Sequence, residues 1–279
     1  MDALLSLLRS GIETDQARML VLFLLFLPPF FFSYWAVKRG LHVHLRPIAG
    51  YESLKGLLAQ AAEAGQPVHL SLGIAGIGDE HTADTAAGLA VLEYIADRAA
   101  VSASPPIVTL ANPTALPVAQ DILRRAYRRH GYPEEYDPAR AQFVAPPPTL
   151  NTGSPNPALY AGNQVDAFAY AAGTMHLLNQ EPLVANVMVG FFGDEYLLLG
   201  ETGAQRQLNQ IGGTSATGVL PFFQATVPNP LIGEEIYAGG AYLSNRTAHL
   251  SSLVAQDIMR WLLVGGVIVG IVLKSMGLI

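Results

Sequence analysis

Two apolar segments, one near each end of the chain, constrain its fold more than any other feature. Residues 19–37 contain no charged residue, and residues 261–279 contain only Lys274. Each segment has about 19 residues, close to the roughly 20 that an α-helix needs to cross the hydrocarbon core of a bilayer. The long stretch between them is too polar to cross one. We therefore predict a globular domain with a transmembrane helix at each end.

This prediction divides the chain into four parts. They are a short N-terminal segment (1–18), a first transmembrane helix (19–37), an α/β domain (40–255) and a second transmembrane helix (256–279). A cleaved signal peptide is the alternative for the first apolar segment, but Lys38 and Arg39 follow it instead of a cleavage site of small residues. A buried core helix is the alternative for the second, although Lys274 lies where a lysine side chain can reach the lipid headgroups.

The basic residues near the two segments predict an orientation. Those on the domain side are Lys38, Arg39, Arg46, Lys55 and Arg260, and those before the first segment are Arg9 and Arg18. Because basic residues favour the cytoplasmic side, we predict an inner-membrane protein whose domain is cytoplasmic and whose termini both lie outside. The chain has no cysteine, which fits a reducing compartment and equally a cysteine-free periplasmic domain.

The domain is poor in charge even after the apolar segments are set aside. Charged residues make up 14% of the chain, and the formal net charge is −6. A negative chain of this kind is not expected to bind nucleic acid. Low surface charge favours burial against other copies, and Gly266 and Gly270 form a small-xxx-small pair that lets two helices approach closely. We therefore predict contact with the bilayer, a homo-oligomer and membership of a larger membrane complex.

Between the apolar segments, runs of strand length alternate with helical patterns. We predict strands at 42–45, 68–72, 106–110, 142–144, 184–192 and 196–199, and helices at 51–64, 82–100, 114–130 and 163–179. After Gly200 the pattern predicts short helices at 205–208 and 218–225, with the end of a strand at 210–211 between them. Such alternation is typical of βαβ units. The predicted fold is α/β: a Rossmann-like, mainly parallel sheet with helices on both faces.

A glycine-rich stretch follows the predicted strand 68–72. Gly73, Gly76 and Gly78 have the spacing G-x-x-G-x-G, which differs from the dinucleotide-binding spacing G-x-G-x-x-G. Glycines at the end of a strand and before a helix let backbone N–H groups approach a phosphate. The alternative is a tight turn capped by acidic residues, since Asp79 follows the glycines directly.

The same stretch offers possible metal ligands. Asp79, His81 and Asp84 are close in sequence, and His81 and Asp84 share a helix face at a spacing of three residues. Oxygen-rich sites suit Mg, Mn or Ca. Carboxylates also stand at helix starts for capping alone, which is the other interpretation.

A second small-residue stretch is expected to follow a strand at the same edge of the sheet. It contains Gly212, Gly213, Thr214 and Ser215. Together with Asn112 and the first glycine stretch, these residues predict a crevice for a nucleotide or small anion at the carboxyl ends of the strands. A plain loop is the alternative for residues 212–215, and capping of the next helix is the alternative for Asn112.

Two further groups have both a functional and a structural interpretation. Asp194 and Glu195 are either acid/base partners or the tip of a polar turn. Four arginines, at 124, 125, 128 and 129, form either a lipid-facing basic surface or a solvated helix flank. The sequence contains no G-x-S-x-G motif and no cysteine nucleophile. We predict no catalytic residue, and the cofactor stays unknown.

Four stretches of the domain resemble, as a set, a known family. They are HLSLGIAGIGDEHTADTAAGLAVLEYIADRAA, PPIVTLANPTALPVAQDILRRAY, ANVMVGFFGDEYLLLGETGA and NPLIGEEIYAGGAYL. They resemble an uncharacterised family of bacterial membrane proteins of Chloroflexota type, a domain of unknown function with an α/β cytosolic domain. The resemblance covers roughly residues 68–243 and implies a prokaryotic membrane protein. It implies no catalytic residue.

These observations lead to two hypotheses about function. The first is a self-associating scaffold or accessory subunit of a membrane assembly, without catalysis. The alternative is a sensor or enzyme that binds a nucleotide or small anion in the strand-end crevice. A doubly wound sheet hosts many functions, so the fold alone does not decide between them.

Overall fold

The computed structural model describes residues 14–41, 43–102, 104–144, 164–244 and 246–276. The chain forms two compact units. One contains the apolar helices near the two ends of the chain, and the other runs from Arg46 to Ser244. We call the second one the α/β unit.

The helices and strands are named here in chain order. The helices are α1 (Thr14–Lys38), α2 (Ala49–Ala64), α3 (Thr82–Ser102), α4 (Leu116–His130), α5 (Gln164–Gln180), α6 (Tyr196–Gln205), α7 (Leu220–Thr226), α8 (Gly239–Ser244) and α9 (Thr247–Ser275). The strands are β1 (Val68–Gly73), β2 (Ile107–Leu110), β3 (Ala141–Phe143), β4 (Ala185–Phe191), β5 (Asn209–Thr214) and β6 (Leu231–Ile232). Short 3₁₀ turns at 113–115, 133–135, 138–140 and 233–238 complete the α/β unit.

The first unit consists of α1 and α9, which pack against each other. Both helices are long enough and apolar enough to cross a membrane. Helix α1 continues through Pro28 and Pro29. Helix α9 runs without a break from Thr247, past Arg260, to Ser275. The chain therefore has two candidate membrane spans, at the positions where the apolar segments predict them.

The α/β unit is built on a six-stranded sheet in the order β3-β2-β1-β4-β5-β6, and every neighbouring pair is parallel. The prediction of an α/β fold with a parallel sheet is confirmed. Strands β1, β2 and β4 are buried along almost their whole length, as expected for strands that are covered on both faces.

The connections place the helices on the two faces. Crossovers between parallel strands are right-handed. The chain moves from β1 through β2 to β3 in one direction across the sheet, and from β4 through β5 to β6 in the other. Helices α3 and α4 therefore lie on one face, and α5, α6 and α7 on the opposite face. The contacts agree, because α3 packs against α4 and α5 packs against α6.

Three predicted elements are wrong. Residues 43–45 form no strand, and residues 196–199 form the first turn of α6 instead of a strand. The predicted helix at 205–208 is confined to Gln205, the last residue of α6. A four-residue apolar run is too short to show the period of a strand or of a helix. In the structure Tyr196 and Leu199 are both buried, and their spacing of three residues is that of one helix face.

A chain of buried polar groups crosses the middle of the sheet. The His69 Nδ1 atom lies 2.7 Å from Asn186 Oδ1, and Nε2 lies 2.9 Å from the Thr109 hydroxyl. The Tyr170 hydroxyl lies 3.0 Å from Thr109 Oγ1 and 2.6 Å from Ser71 Oγ. Burial lowers the pKa of His69 to about 4. The neutral ring therefore donates to Asn186 through Nδ1 and accepts from Thr109 through Nε2.

Candidate functional site

The predicted glycine stretch lies at the carboxyl end of β1. With the strand order β3-β2-β1-β4-β5-β6, the chain reverses its direction across the sheet between β1 and β4. Ligands of doubly wound sheets bind at this switch point, outside the carboxyl ends of the strands. Gly73 is the last residue of β1, and residues 74–81 lead from it into α3. The sequence therefore places the stretch correctly.

Asp79 accepts hydrogen bonds from the loop that leads into α3. Its Oδ2 atom accepts a hydrogen bond from the Gly76 N–H at 2.7 Å, and its Oδ1 atom accepts one from the His81 N–H at 2.9 Å. A bound phosphate would accept hydrogen bonds from backbone groups of this kind. The carboxylate thus takes the part that an anionic ligand would play, as the acidic-capping interpretation predicts.

Two further amides of the loop are also paired within the chain. The Ile77 N–H donates to Thr114 Oγ1 at 2.8 Å, and the Gly78 N–H donates to Thr82 Oγ1 at 2.9 Å. Three consecutive amides, from Gly76 to Gly78, therefore already have partners.

Asn112 fills the space beside the loop. A Cβ atom on Gly76 would lie 2.3 Å from the Asn112 side-chain amide, so only glycine fits there. The Asn112 Oδ1 atom accepts a hydrogen bond from the Thr114 N–H at 3.1 Å and from the Thr114 hydroxyl at 2.8 Å. Capping of the next turn is the role that these contacts show.

The carboxyl ends of β1 and β4 are joined to each other. The Ile74 N–H donates to the Phe191 carbonyl oxygen at 3.0 Å. This contact requires Gly73, whose φ is +79° and whose Cβ atom would lie 2.1 Å from the same oxygen. On β4, a Cβ atom on Gly190 would lie 2.1 Å from the Leu72 carbonyl oxygen. The two glycines let the strand ends stay together where a doubly wound sheet usually opens.

An aromatic pair covers the same junction. The His81 ring stacks on the Phe191 ring with a centroid distance of 3.5 Å and an interplanar angle of 12°. His81 comes from the loop after β1, and Phe191 is the last residue of β4. The side chains of the two strand ends therefore lie across the switch point.

The loop after β4 also supplies its own cap. The Gly193 N–H donates to Glu195 Oε1 at 2.8 Å. Glu195 is buried, and burial raises the pKa of its carboxyl group. Asp194 is exposed. Of the two interpretations for this pair, the turn explains these contacts directly.

The three predicted metal ligands make contacts within the chain. The carboxylate of Asp84 is buried, and it accepts a hydrogen bond from the Tyr237 hydroxyl at 2.9 Å. His81 Nδ1 lies 3.5 Å from Asp84 Oδ2, while Asp79 is bonded to backbone amides. Among the residues that the structure describes, no three His, Cys, Asp or Glu side chains are placed to hold a metal.

Tyr237 belongs to this edge of the sheet, although no motif in the sequence marks it. It lies in the turn after β6, far from Asp84 in the chain, and its pKa is raised mainly by burial. A hydrogen bond with the Ser215 side chain lowers that pKa. No local pattern marks a tyrosine that reaches a carboxylate on another element, so only the folded chain reveals it.

The second small-residue stretch lies mostly inside a strand, which corrects the prediction that it follows one. Gly212, Gly213 and Thr214 are the last residues of β5 and are buried, and only Ser215 follows the strand. A Cβ atom on Gly212 would lie 2.4 Å from the Phe223 ring, and one on Gly213 would lie 2.6 Å from the Leu231 side chain. These glycines make room for the packing of Phe223 and Leu231 against the strand.

The four arginines on α4 are largely paired with carboxylates. Arg124 and Arg125 lie 2.7 and 2.8 Å from the carboxylate of Asp121, and Arg129 lies 3.1 Å from Asp97. These pairs support the interpretation of a solvated helix flank.

Gly266 and Gly270 lie in the first unit, on α9. In the described part of the chain, a Cβ atom on either glycine would meet no other atom within 4 Å. The pair is therefore not what brings α9 against α1. Its use for contact with another copy stays a prediction.

A comparison with known protein families gives a match over most of the chain. Residues 9–148 and 154–279 match the family described as Domain of unknown function (DUF6754). The chain belongs to this family. Membership of DUF6754 confirms the resemblance to a domain of unknown function, while a bacterial origin stays a prediction. No curated protein and no solved structure matches the chain.

Proposed function

We propose that this DUF6754 chain is a membrane-anchored, self-associating scaffold or accessory subunit of a membrane assembly. Both apolar helices cross the inner membrane, the α/β unit faces the cytoplasm, and both termini lie outside. The α/β unit performs no catalysis in this proposal. It supplies surface for association with other copies and with further members of the assembly.

The observation that carries the proposal is that the ends of β1 and β4 are bonded to each other at the switch point. Asp79 is bonded to the amides of Gly76 and His81, and the strand ends are joined by the hydrogen bond from Ile74 to Phe191. A ligand would have to replace charge-assisted hydrogen bonds, each of which contributes about 1.5–3 kcal/mol. It would also bring an anion against a carboxylate.

Two properties of the chain support association. The charged fraction is 14%, although about a quarter is usual for soluble domains. A helix at each end of the domain confines it to the plane of the membrane, and confinement raises the effective concentration of copies for one another.

The test is the oligomeric state of the full chain in lipid nanodiscs and in mild detergent. Light scattering with separate protein and lipid detection should give a mass of two or more copies. The assembly should dissociate on dilution with a defined constant. A strictly monomeric chain in both environments would remove the proposal.

One observation supports a second candidate function. The glycine stretch stands at the end of β1 beside the switch point, which is where doubly wound sheets bind nucleotides. The candidate is a sensor or enzyme for a nucleotide or small anion. A thermal-shift panel of nucleotides, dinucleotides, phosphate and divalent metals on the full chain tests it. A ligand at 100 times its Kd should stabilise the chain by about 2.7 kcal/mol.

A further inference from the structure

The two faces of the α/β unit differ in charge. Helices α5, α6 and α7, which cover one face, contain one aspartate, one glutamate and no lysine or arginine. Helix α4, on the opposite face, alone carries Arg124, Arg125, Arg128 and Arg129. Helices α2 and α3 add further residues of both signs. We call the side covered by α5, α6 and α7 the neutral face.

Large apolar side chains stand exposed on all three helices of the neutral face. Their exposed fractions are 44% for Phe168, 39% for Leu197, 38% for Leu198 and 40% for Phe222. Helix α6 contacts both α5 and α7, so these side chains belong to neighbouring helices. Aromatic and aliphatic residues without charge are typical of the buried centre of a protein–protein interface.

Charge decides which face can meet a second copy. In a two-fold dimer the same surface is used by both partners, so every charged residue near the axis approaches its own counterpart. The α4 face would bring its arginines, and the carboxylates paired with them, against their own counterparts. The neutral face brings apolar side chains together. Among the side chains described on its helices Glu201 is the one exposed charge. Arg206, directly after α6, lies at the end of this face, where it donates to the carbonyl oxygens of Asn179 and Glu181.

The same composition argues against the bilayer as the occupant. Surfaces that rest on anionic lipids carry lysine and arginine, each of which contributes about 1 kcal/mol near the headgroups. The three helices of the neutral face carry neither residue.

We propose that the neutral face is the surface through which the α/β units of two copies associate, with Leu198 and Phe222 near its centre. This inference rests on the proposed self-association and names its surface. The occupant is a second copy of this chain.

A pair of matched substitutions tests the surface. Leu198→Glu places a carboxylate on the neutral face, and Val118→Glu places one on α4, where Val118 has a similar exposed fraction of 36%. For the full chain in nanodiscs, Leu198→Glu should raise the dissociation constant at least about tenfold, because an unpaired charge would be buried. Val118→Glu should leave it within about twofold. Equal effects of the two variants would overturn the inference.

Cross-linking separates failure of the surface from failure of the function. The chain has no cysteine, so a single introduced thiol can only cross-link to its counterpart in another copy. Phe222→Cys should cross-link on oxidation, whereas Arg125→Cys on α4 should not. A chain that assembles but cross-links through Arg125→Cys, or through Gly266→Cys alone, would overturn the neutral face and leave the proposed function standing. A monomeric chain would remove both.

Discussion

At the scale of single residues, carboxylates of the α/β unit cap backbone amides in the loops and turns beside the strands. Asp79 holds two amides of the loop after β1, and Glu195 holds one in the loop after β4. The turn after β6 has the same kind of cap, because Glu235 Oε2 accepts a hydrogen bond from the Ile232 N–H at 3.1 Å. Backbone N–H groups of the kind that bind ligands in other proteins with this fold therefore donate here to carboxylates of the same chain, at the ends of strands.

Asp79→Ala should lower the stability of the chain. It leaves the amides of Gly76 and His81 without their acceptor, and the loss of a capping side chain costs about 0.5–2 kcal/mol. The midpoint of thermal unfolding should fall accordingly. Glu80→Ala is the control, since Glu80 is the neighbouring carboxylate and is 87% exposed. If both variants unfold at the same temperature, Asp79 does not cap the loop.

His69 should make the stability of the chain depend on pH. Burial lowers the pKa of His69 to about 4, below its usual value near 6.5. Between these values the unfolded chain binds the proton and the folded chain does not, so stability falls as the pH falls from about 6.5 to about 4. The loss between pH 7 and pH 5 should be about 2 kcal/mol.

Denaturant unfolding of the wild type and of His69→Gln at pH 7 and pH 5 measures this contribution. Glutamine can keep polar contacts with Asn186 and Thr109 but does not titrate. The variant should therefore lose less stability between the two pH values than the wild type does. An unchanged pH dependence would show that the pKa of His69 is the same in the folded and the unfolded chain.

At the scale of elements, the closure of β1 on β4 depends on close backbone approach. The hydrogen bond from Ile74 to Phe191 extends the pairing beyond the point where the two strands change their register. Gly73 and Gly190 make this possible, because any Cβ atom there would overlap a carbonyl oxygen of the opposite strand. The close contact between the ends of β1 and β4 is therefore possible because two hydrogen atoms stand in place of side chains.

Gly190→Ala should destabilise the α/β unit by at least about 2 kcal/mol, because the new methyl group forces the strand ends apart. Gly56→Ala is a control that should change the free energy of unfolding in the opposite direction. Gly56 lies within α2 with open space around it, and alanine in a helix is favoured over glycine by up to about 1 kcal/mol. Chemical denaturation of both variants gives the comparison. A neutral Gly190→Ala would mean that the strand ends separate without cost.

At the scale of the whole molecule, the chain joins a parallel α/β unit to two apolar helices. The two helices account for much of the apolar composition, and the neutral face accounts for part of the low charge of the remainder. In the proposed assembly, a domain held in the membrane plane would need little solubilising charge on a surface that other copies cover.

The predicted orientation can be tested with reporters fused after Ile279. A C-terminal alkaline phosphatase, which is active only outside the cytoplasm, should be active. At Gly131, in the turn after α4, an inserted alkaline phosphatase should be inactive. A reporter that functions only in the cytoplasm should be active at the same position. The opposite pattern would place the α/β unit in the periplasm and would show that the basic residues beside the spans do not set the orientation.

Much of the fold follows from local patterns. The predicted helix 51–64 matches α2 closely and ends at Gly65, whose φ is +63°. The strand at 68–72 and the glycine stretch after it are correctly placed. Residues 196–199 and 212–214 are misassigned, because short apolar or small-residue runs have no period of their own and take their structure from the side chains that pack on them.

The amino-acid sequence by itself determined the apolar spans, the alternation of strands and helices, and the position of the glycines, because each of these depends on contiguous residues. Only the tertiary structure decided what the glycines do. Gly76 lies against Asn112, and Gly73 lies against Phe191, and both partners are remote in the chain. A glycine that lets a phosphate approach and a glycine that lets a neighbouring strand approach look the same in sequence. They differ in which atoms occupy the space beside the glycine Cα atom, and only the folded chain places those atoms.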